Sequence, residues 1–155
     1  TLSSSSAASD VYKRQIIRRW EESDRPFLRT LYLHARKEAW TWLDSRDWSL
    51  EDFDSATLGE VIWVAEEDGH RMGFASVLEN DNFLHNLFID PAFQGKGVGS
   101  ALLEHVQSTF TSTGALKCLL RNKTALDFYQ RHGWRVEAKG VSPQGDYVLM
   151  HYVLK

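Results

Sequence analysis

A chain of 155 residues with 43% hydrophobic and 12% aromatic residues is of the size and composition of one globular domain with a real core. Its net charge of −3 argues against nucleic acid as a partner, because such binders present a basic face. Its single cysteine, Cys118, excludes an internal disulfide and suits a reducing compartment, the cytoplasm.

Residues 1 to 9 are mostly Ser and Ala and lack the apolar stretch of a secretory signal. Residues 1–13 read as a flexible extension, an expression scar or a sequence artefact, leaving 14–155 as one domain. No apolar run is long enough to span a bilayer. Ile16 to Trp20 predicts a first strand. Ser23 or Asp24 is expected to cap a helix with Pro26 in its first turn, carried to about Ala39 by Phe27, Leu28, Leu31, Tyr32 and Ala35. Trp40 to Phe53 predicts a second, shorter helical region. Val61–Glu66 and Arg71–Leu78 read as strands joined by a tight turn at Asp68-Gly69, and Phe83–Ile89 as the next strand. A helix is expected from Val98 to Phe110, then a strand at 115–121, a helix at 124–132 and a strand at 134–140. Val141 to Gly145 is the turn into a last strand, Asp146 to Leu154. Cys118 falls in a strand and reads as a small packing residue, not a nucleophile.

The most informative segment is Leu87-Phe88-Ile89-Asp90-Pro91-Ala92-Phe93-Gln94-Gly95-Lys96-Gly97-Val98-Gly99-Ser100. An apolar strand ends at Pro91, three glycines follow at every second position, and a helix begins. A glycine-rich turn that opens a helix exposes backbone N–H groups at the positive end of the helix dipole, which is an anion site. Two phosphate motifs do not fit. A Walker A loop needs Gly-Lys-Ser/Thr at its end, and here Lys96 lies between Gly95 and Gly97. A dinucleotide fingerprint needs a third glycine where Ser100 or Leu102 stands. Gln/Arg-x-x-Gly-x-Gly/Ala is matched by Gln94, Gly97 and Gly99. Downstream, Asn122-Lys123-Thr124-Ala125-Leu126-Asp127-Phe128-Tyr129-Gln130-Arg131-His132-Gly133-Trp134 gives a helix that Thr124 or Asn122 can cap and Gly133 can close.

These two motifs, in this order and separation, resemble those of the GNAT superfamily of acetyl-CoA-dependent N-acetyltransferases. The resemblance spans roughly residues 15 to 155, and residues 83 to 134 carry its specificity. It implies an α/β fold: a mixed, mostly antiparallel twisted sheet of six to seven strands, with helices on both faces and a splay at the cofactor-binding strands. It also implies acetyl-CoA as co-substrate. The backbone of Leu87, Phe88 and Ile89 would bind the pantetheine arm like an added strand. Gln94, Gly95, Lys96, Gly97, Val98, Gly99 and Ser100 would cradle the pyrophosphate, and Asn122, Ala125 and Phe128 would flank the arm. Lys96 reads equally as a solvated rim charge, and Asn122 equally as a helix cap.

Acetyl transfer to an amine needs a held cofactor, a deprotonated amine, a polarised carbonyl and a protonated leaving thiol. Tyr129, at the motif position where the family often has a tyrosine, is the expected proton donor to the sulfur; it reads otherwise as a half-buried packing residue. His85 resembles the base-side histidine of arylalkylamine acetyltransferases, although Phe83 replaces the first histidine of that pair. Glu79 and His151 are further candidates, and an ordered water needs no dedicated base. The acceptor region should hold Tyr32, His34, Trp40, Trp42, Asp44, Asp47, Trp48, Asp52, Phe53 and Asp54. Aromatics mixed with carboxylates would suit a cationic amine, or would form an amphipathic helix with a solvated acidic face. The expected acceptor is an amine of a small molecule or peptide. A protein-lysine or N-terminal acetyltransferase and a non-catalytic acyl-CoA-binding sensor stand as alternatives. No metal is expected, and a homodimer is open because the family often dimerises.

Overall fold

The structure is a computed structural model that describes residues 15–154; the segment read as an extension, 1–13, lies outside them. The strands are β1 (Gln15–Arg19), β2 (Val61–Glu67), β3 (His70–Leu78), β4 (Phe83–Ile89), β5 (Gly114–Leu119), β6 (Arg135–Ser142) and β7 (Gly145–Tyr152). The helices are α1 (Arg25–Ala39), α2 (Asp52–Ala56), α3 (Val98–Thr109) and α4 (Lys123–Arg131). The seven strands form one sheet in the order β1-β2-β3-β4-β5-β7-β6. Only β4 and β5 run parallel; the other neighbours are antiparallel. This is the mixed sheet that the sequence implies.

Alternation along the strands feeds two cores. Ile62, Val64 and Phe74 pack with Leu28, Leu31 and Tyr32 of α1 and Phe53 of α2 on one face. Ala65, Ala75 and Val77 pack with Val98, Leu102, Leu103 and Val106 of α3 on the other. Ala125, Leu126, Phe128 and Tyr129 of α4 rest on this second core.

β4 breaks the alternation. Ser76 lies opposite Asn86 and Val77 opposite Leu84, so His85 is an extra residue with no partner on β3. An unbroken strand would put Leu84 and Phe88 on one face. Instead Leu84 joins the α3 core with Leu87 and Ile89, whereas Phe88 joins the α1 core.

Three expectations are corrected. Neither Ser23 nor Asp24 caps α1 by a side-chain bond; a short turn over Glu22–Asp24 precedes it. Asp24 is instead a fully buried carboxylate. It accepts from Arg18 at 2.8 and 2.9 Å, from Arg71 at 2.6 Å and from the Glu21 N–H at 2.7 Å, and Arg18 also pairs with Glu66. The region 40–51 is a run of turns and loops, not a helix, and only Asp52–Ala56 is helical. The last hairpin is tighter than expected, because Val141 and Ser142 extend β6 and pair with Asp146 and Gly145.

The Asp24 cluster ties β1 and β3 to the start of α1. Burial would push the carboxyl up, but Arg18 and Arg71 outweigh it and hold it well below the usual carboxylate range. A depressed carboxyl stabilises the fold fully above its unfolded value of about 4, and that contribution is lost as pH falls toward its folded value. Asp24→Ala should therefore cost about 3 kcal/mol in urea unfolding at neutral pH, by analogy with broken buried pairs. The gap to wild type should narrow below pH of about 4.

Candidate functional site

β4 and β5 share a single register pair, Phe83 with Ala115, near the start of both strands. Beyond it they diverge, and a cleft of about 920 Å³ opens between β4, the glycine loop and the α4 segment. Asp90 donates its N–H to Met72 on β3 at 2.8 Å. The period of two then turns Phe88 toward β3 and directs the N–H and C=O of Leu87 and Ile89 at the gap. Leu87, Phe88 and Ile89 all line the cleft.

The glycine loop closes the wide end. Asp90 accepts the Ala92 N–H at 3.0 Å and starts a single turn over Pro91–Phe93. Gly95 and Gly97 then take φ of 78° and 81°, the left-handed region where a side chain is strained. Gly97 is the N-cap of α3, so the positive end of a twelve-residue helix faces the cleft. Gln94, Gly95, Gly97, Val98, Gly99 and Ser100 line it. Val98 is also a core residue at 2% exposure. Lys96 is not on this wall; it is exposed, with Nζ 5.7 Å from the Phe93 ring centre.

α4 forms the facing wall with Asn122, Ala125, Phe128 and Tyr129. The Asn122 side chain accepts the Ala125 N–H at 3.3 Å, so Asn122, not Thr124, caps the helix. Gly133 closes the helix at φ 89°. Tyr129 is half-buried between Phe128 and Trp134, ring centres 5.3 and 6.1 Å away. Burial, and next the neighbouring Cys118, raise the Tyr129 pKa, so its hydroxyl keeps its proton at neutral pH and can donate it. Burial likewise pushes the Cys118 thiol up to about 11, which suits packing and not nucleophilic attack.

His85 lies outside the cleft lining. As the bulged residue it meets Glu60, with Nδ1 2.6 Å from Oε2. The hydrogen bond that His85 donates to Glu60 raises the His85 pKa against the opposing effect of burial. The Glu60 side chain is 4% exposed, and its Oε1 has no partner among the described residues. Glu79 is exposed, and His151 sits in β7 opposite Ala115 and Arg135; neither lines the cleft.

The acceptor-side aromatics pack inward. Trp40 and Trp48 meet edge to face at 6.3 Å, and the Arg36 guanidinium lies 4.0 Å from the Tyr32 ring centre and 4.7 Å from that of Trp48. A smaller cavity of about 230 Å³ lies between Arg36, Trp40, Trp48 and Gln144. Several carboxylates are taken by arginines: Asp44 by Arg46, Asp52 by Arg36, and Asp54 by Arg25 and Arg29. They are therefore not free to read a cationic substrate. Sequence reasoning missed Arg121, Lys123, Arg131 and His132, which line the cleft from both ends of α4. A cluster of basic residue types bracketing one helix is the signal that could have found them.

Among the described residues no helix is long and apolar enough to cross a membrane, and no three His, Cys, Asp or Glu residues are grouped to hold a metal ion.

The splayed sheet, the glycine loop and the capped α4 together make a GNAT-type fold. The family model for the acetyltransferase (GNAT) domain matches residues 59–136, and the chain belongs to the GNAT acetyltransferase family. It is similar to the peptidyl-lysine N-acetyltransferase YiaC of Escherichia coli, 36% identical over 74 residues, which are 48% of this chain and 49% of YiaC. The peptidyl-lysine N-acetyltransferase YjaB of Escherichia coli is 34% identical over 92 residues, 58% of this chain and 60% of YjaB. The chain thus matches about half to three fifths of the length of these relatives. The apo solution structure of YjaB superposes with TM-score 0.74 at 24% identity, covering 90% of this chain and 97% of that one. The Salmonella typhimurium protein yncA, solved with its cofactor acetyl-CoA, shares the fold at TM-score 0.66 and 22% identity, covering 92% of this chain and 95% of that one.

The cap at Asn122 has a direct check. Asn122→Ala should cost about 1 kcal/mol of unfolding free energy, and Asn122→Ser should recover most of it, both read by urea denaturation.

Proposed function

We propose that the chain moves an acetyl group from acetyl-CoA directly to a primary amine of a small molecule or peptide, in a ternary complex. The observation that carries this reading is the divergence of β4 from β5, with a left-handed glycine loop at its mouth and a protonated tyrosine on its wall. The residues fit the co-substrate. The Leu87 and Ile89 backbone offers a free strand edge, no side chain of Gly95 or Gly97 intrudes, and the α3 N-terminus offers N–H groups to phosphate.

Bound acetyl-CoA supplies an acyl group on a thioester. The chain's own residues do the rest. Leu87, Phe88 and Ile89 hold the arm in extended form. Gln94, Gly95, Gly97, Val98, Gly99 and Ser100 receive the pyrophosphate, with Lys96 adding charge at the outer rim. Ala125 and Phe128 pack beside the arm, and Asn122 orders the start of α4 next to it. The Tyr129 hydroxyl gives its proton to the departing sulfur. His85, bonded through Nδ1 to Glu60, takes a proton from the acceptor by way of solvent.

A second reading, acetylation of protein lysines, is supported by the names of YiaC and YjaB, both peptidyl-lysine N-acetyltransferases. A sensor domain that binds acyl-CoA without turnover has less support, since it has no use for the protonated Tyr129.

Calorimetric titration with acetyl-CoA, with NAD and ATP as controls, tests the reading, followed by a thiol-release assay over small amines and lysine peptides. Saturable binding of acetyl-CoA alone supports it; no binding removes it. Tyr129→Phe should lower turnover more than tenfold, in the range of lost general acids, while acetyl-CoA affinity barely moves. Unchanged turnover between pH 7 and 9 would sink the Tyr129 assignment.

A base must be deprotonated to act, and Glu60 raises the His85 pKa. Activity should therefore rise with pH through a limb centred above about 6.5. His85→Ala should remove that limb. If the limb survives the substitution, His85 is not the base.

A further inference from the structure

His132 is a cleft residue that the mechanism above does not use, and both of its ring nitrogens are engaged. Nδ1 is 2.8 Å from the Phe128 carbonyl oxygen. A carbonyl only accepts, so Nδ1 carries a proton. Nε2 is 2.9 Å from Oγ of Ser100, in the first turn of α3. The ring also lies against Phe128, centres 4.5 Å apart. One imidazole thus joins the end of α4 to the start of α3 beside the glycine loop.

The bond to Ser100 has two forms. With a neutral ring, Nε2 accepts and the Ser100 hydroxyl proton points at His132. Ser100 then shows the cleft only lone pairs, which repel a phosphate. With an imidazolium, Nε2–H donates to Oγ, and the hydroxyl proton turns free to donate elsewhere.

We propose that His132 is a positioning residue for the phosphates of the co-substrate: phosphate binding draws one proton from solvent onto Nε2, and Ser100 then donates its hydroxyl to a phosphate oxygen. No other bond is made or broken, and the proton returns to solvent on release. The inference rests on the acetyl-CoA reading above. The other charged groups on this cleft are Arg121, Lys123 and Arg131 of the α4 segment and Glu38 of α1; Arg131 is paired with Asp127 at 3.1 Å. None is of a residue type that titrates near neutral pH, whereas imidazole is.

The test is calorimetric titration of acetyl-CoA at pH 7.5 in two buffers of different ionisation enthalpy, on wild type, His132→Gln and Ser100→Ala. kcat/KM is measured with acetyl-CoA and with S-acetyl-pantetheine, which has no phosphate. Wild type should take up protons that His132→Gln does not. His132→Gln should bind acetyl-CoA about tenfold more weakly, the size of one lost charge-assisted hydrogen bond. Its preference for acetyl-CoA over S-acetyl-pantetheine should fall by a similar factor. Ser100→Ala should show the same loss from the other end of the bond, and the double variant should lose little more than either alone. Equal proton uptake in wild type and His132→Gln would overturn the proposal. An equal fall in kcat/KM for both thioesters would also overturn it, since that marks a merely structural role. A wild type that fails to bind acetyl-CoA at all removes the functional reading itself, and the first titration shows which of the two has failed.

Discussion

The single bridge between Phe83 and Ala115 is the constraint on which the site depends. β4 and β5 are each held on their outer side by an antiparallel neighbour, β3 and β7, so neither can turn to re-pair with the other. Their inner edges part, and backbone groups that a continuous sheet would satisfy are left facing the cleft. Such groups are costly unless paired. Water or an extended ligand must take them, and a ligand with amide groups of its own takes them best. The parting is braced where α3 and α4 meet the sheet. A Cβ added at Gly99 would lie 3.5 Å from the Phe128 ring, so the two helices touch directly across the loop.

The bulge at His85 is the second device, and it acts on the same strand. Moving the alternation by one residue lets β4 anchor in both cores within a few positions. Leu84, Leu87 and Ile89 grip the α3 side, while Phe88 meets Tyr32 at 5.5 Å and Trp40 at 6.3 Å on the α1 side. A strand gripped on both faces keeps its free edge in place when its lateral partner leaves. The Asn86 to Ser76 hydrogen bond, 2.8 Å and buried, locks the register just after the extra residue.

The parts of the molecule legible in the sequence are those written in local pattern. The glycines at 95 and 97 report a loop whose backbone angles need glycine, and Asn122 with Gly133 marks both ends of α4. The mixed, mostly antiparallel character of the sheet follows from the family resemblance those motifs carry. What was not legible depends on residues far apart in the chain. Asp24 looked like a helix cap because aspartate before Pro26 usually is one; its partner Arg71 lies 47 positions away. The 40–53 segment reads as helical from its mix of polar and aromatic residues, but Trp40 packs on Trp48 and Trp48 on Arg36, and those tertiary contacts override propensity. The link from Ser100 to His132 crosses 32 residues, and a bulge leaves no mark in a strand of mixed apolar and polar residues.

An anion at the glycine loop would be opposed by the nearby end of α4, because the C-terminal end of a helix repels negative charge. The chain removes that objection locally. The His132 N–H reaches the Phe128 and Tyr129 carbonyls at 3.2 and 3.0 Å, the Gly133 N–H reaches Gln130 at 3.1 Å, and the Trp134 N–H reaches Tyr129 at 3.1 Å. The His132 side chain takes the Phe128 carbonyl a second time. The last turn of α4 is thus closed by its own backbone, as a left-handed glycine exit allows. What remains to face the loop is the imidazole and the neighbouring cations. The helix whose dipole would repel an anion at the loop is the one that supplies basic side chains to that cleft, and the residue that ends the helix is the one that reaches Ser100.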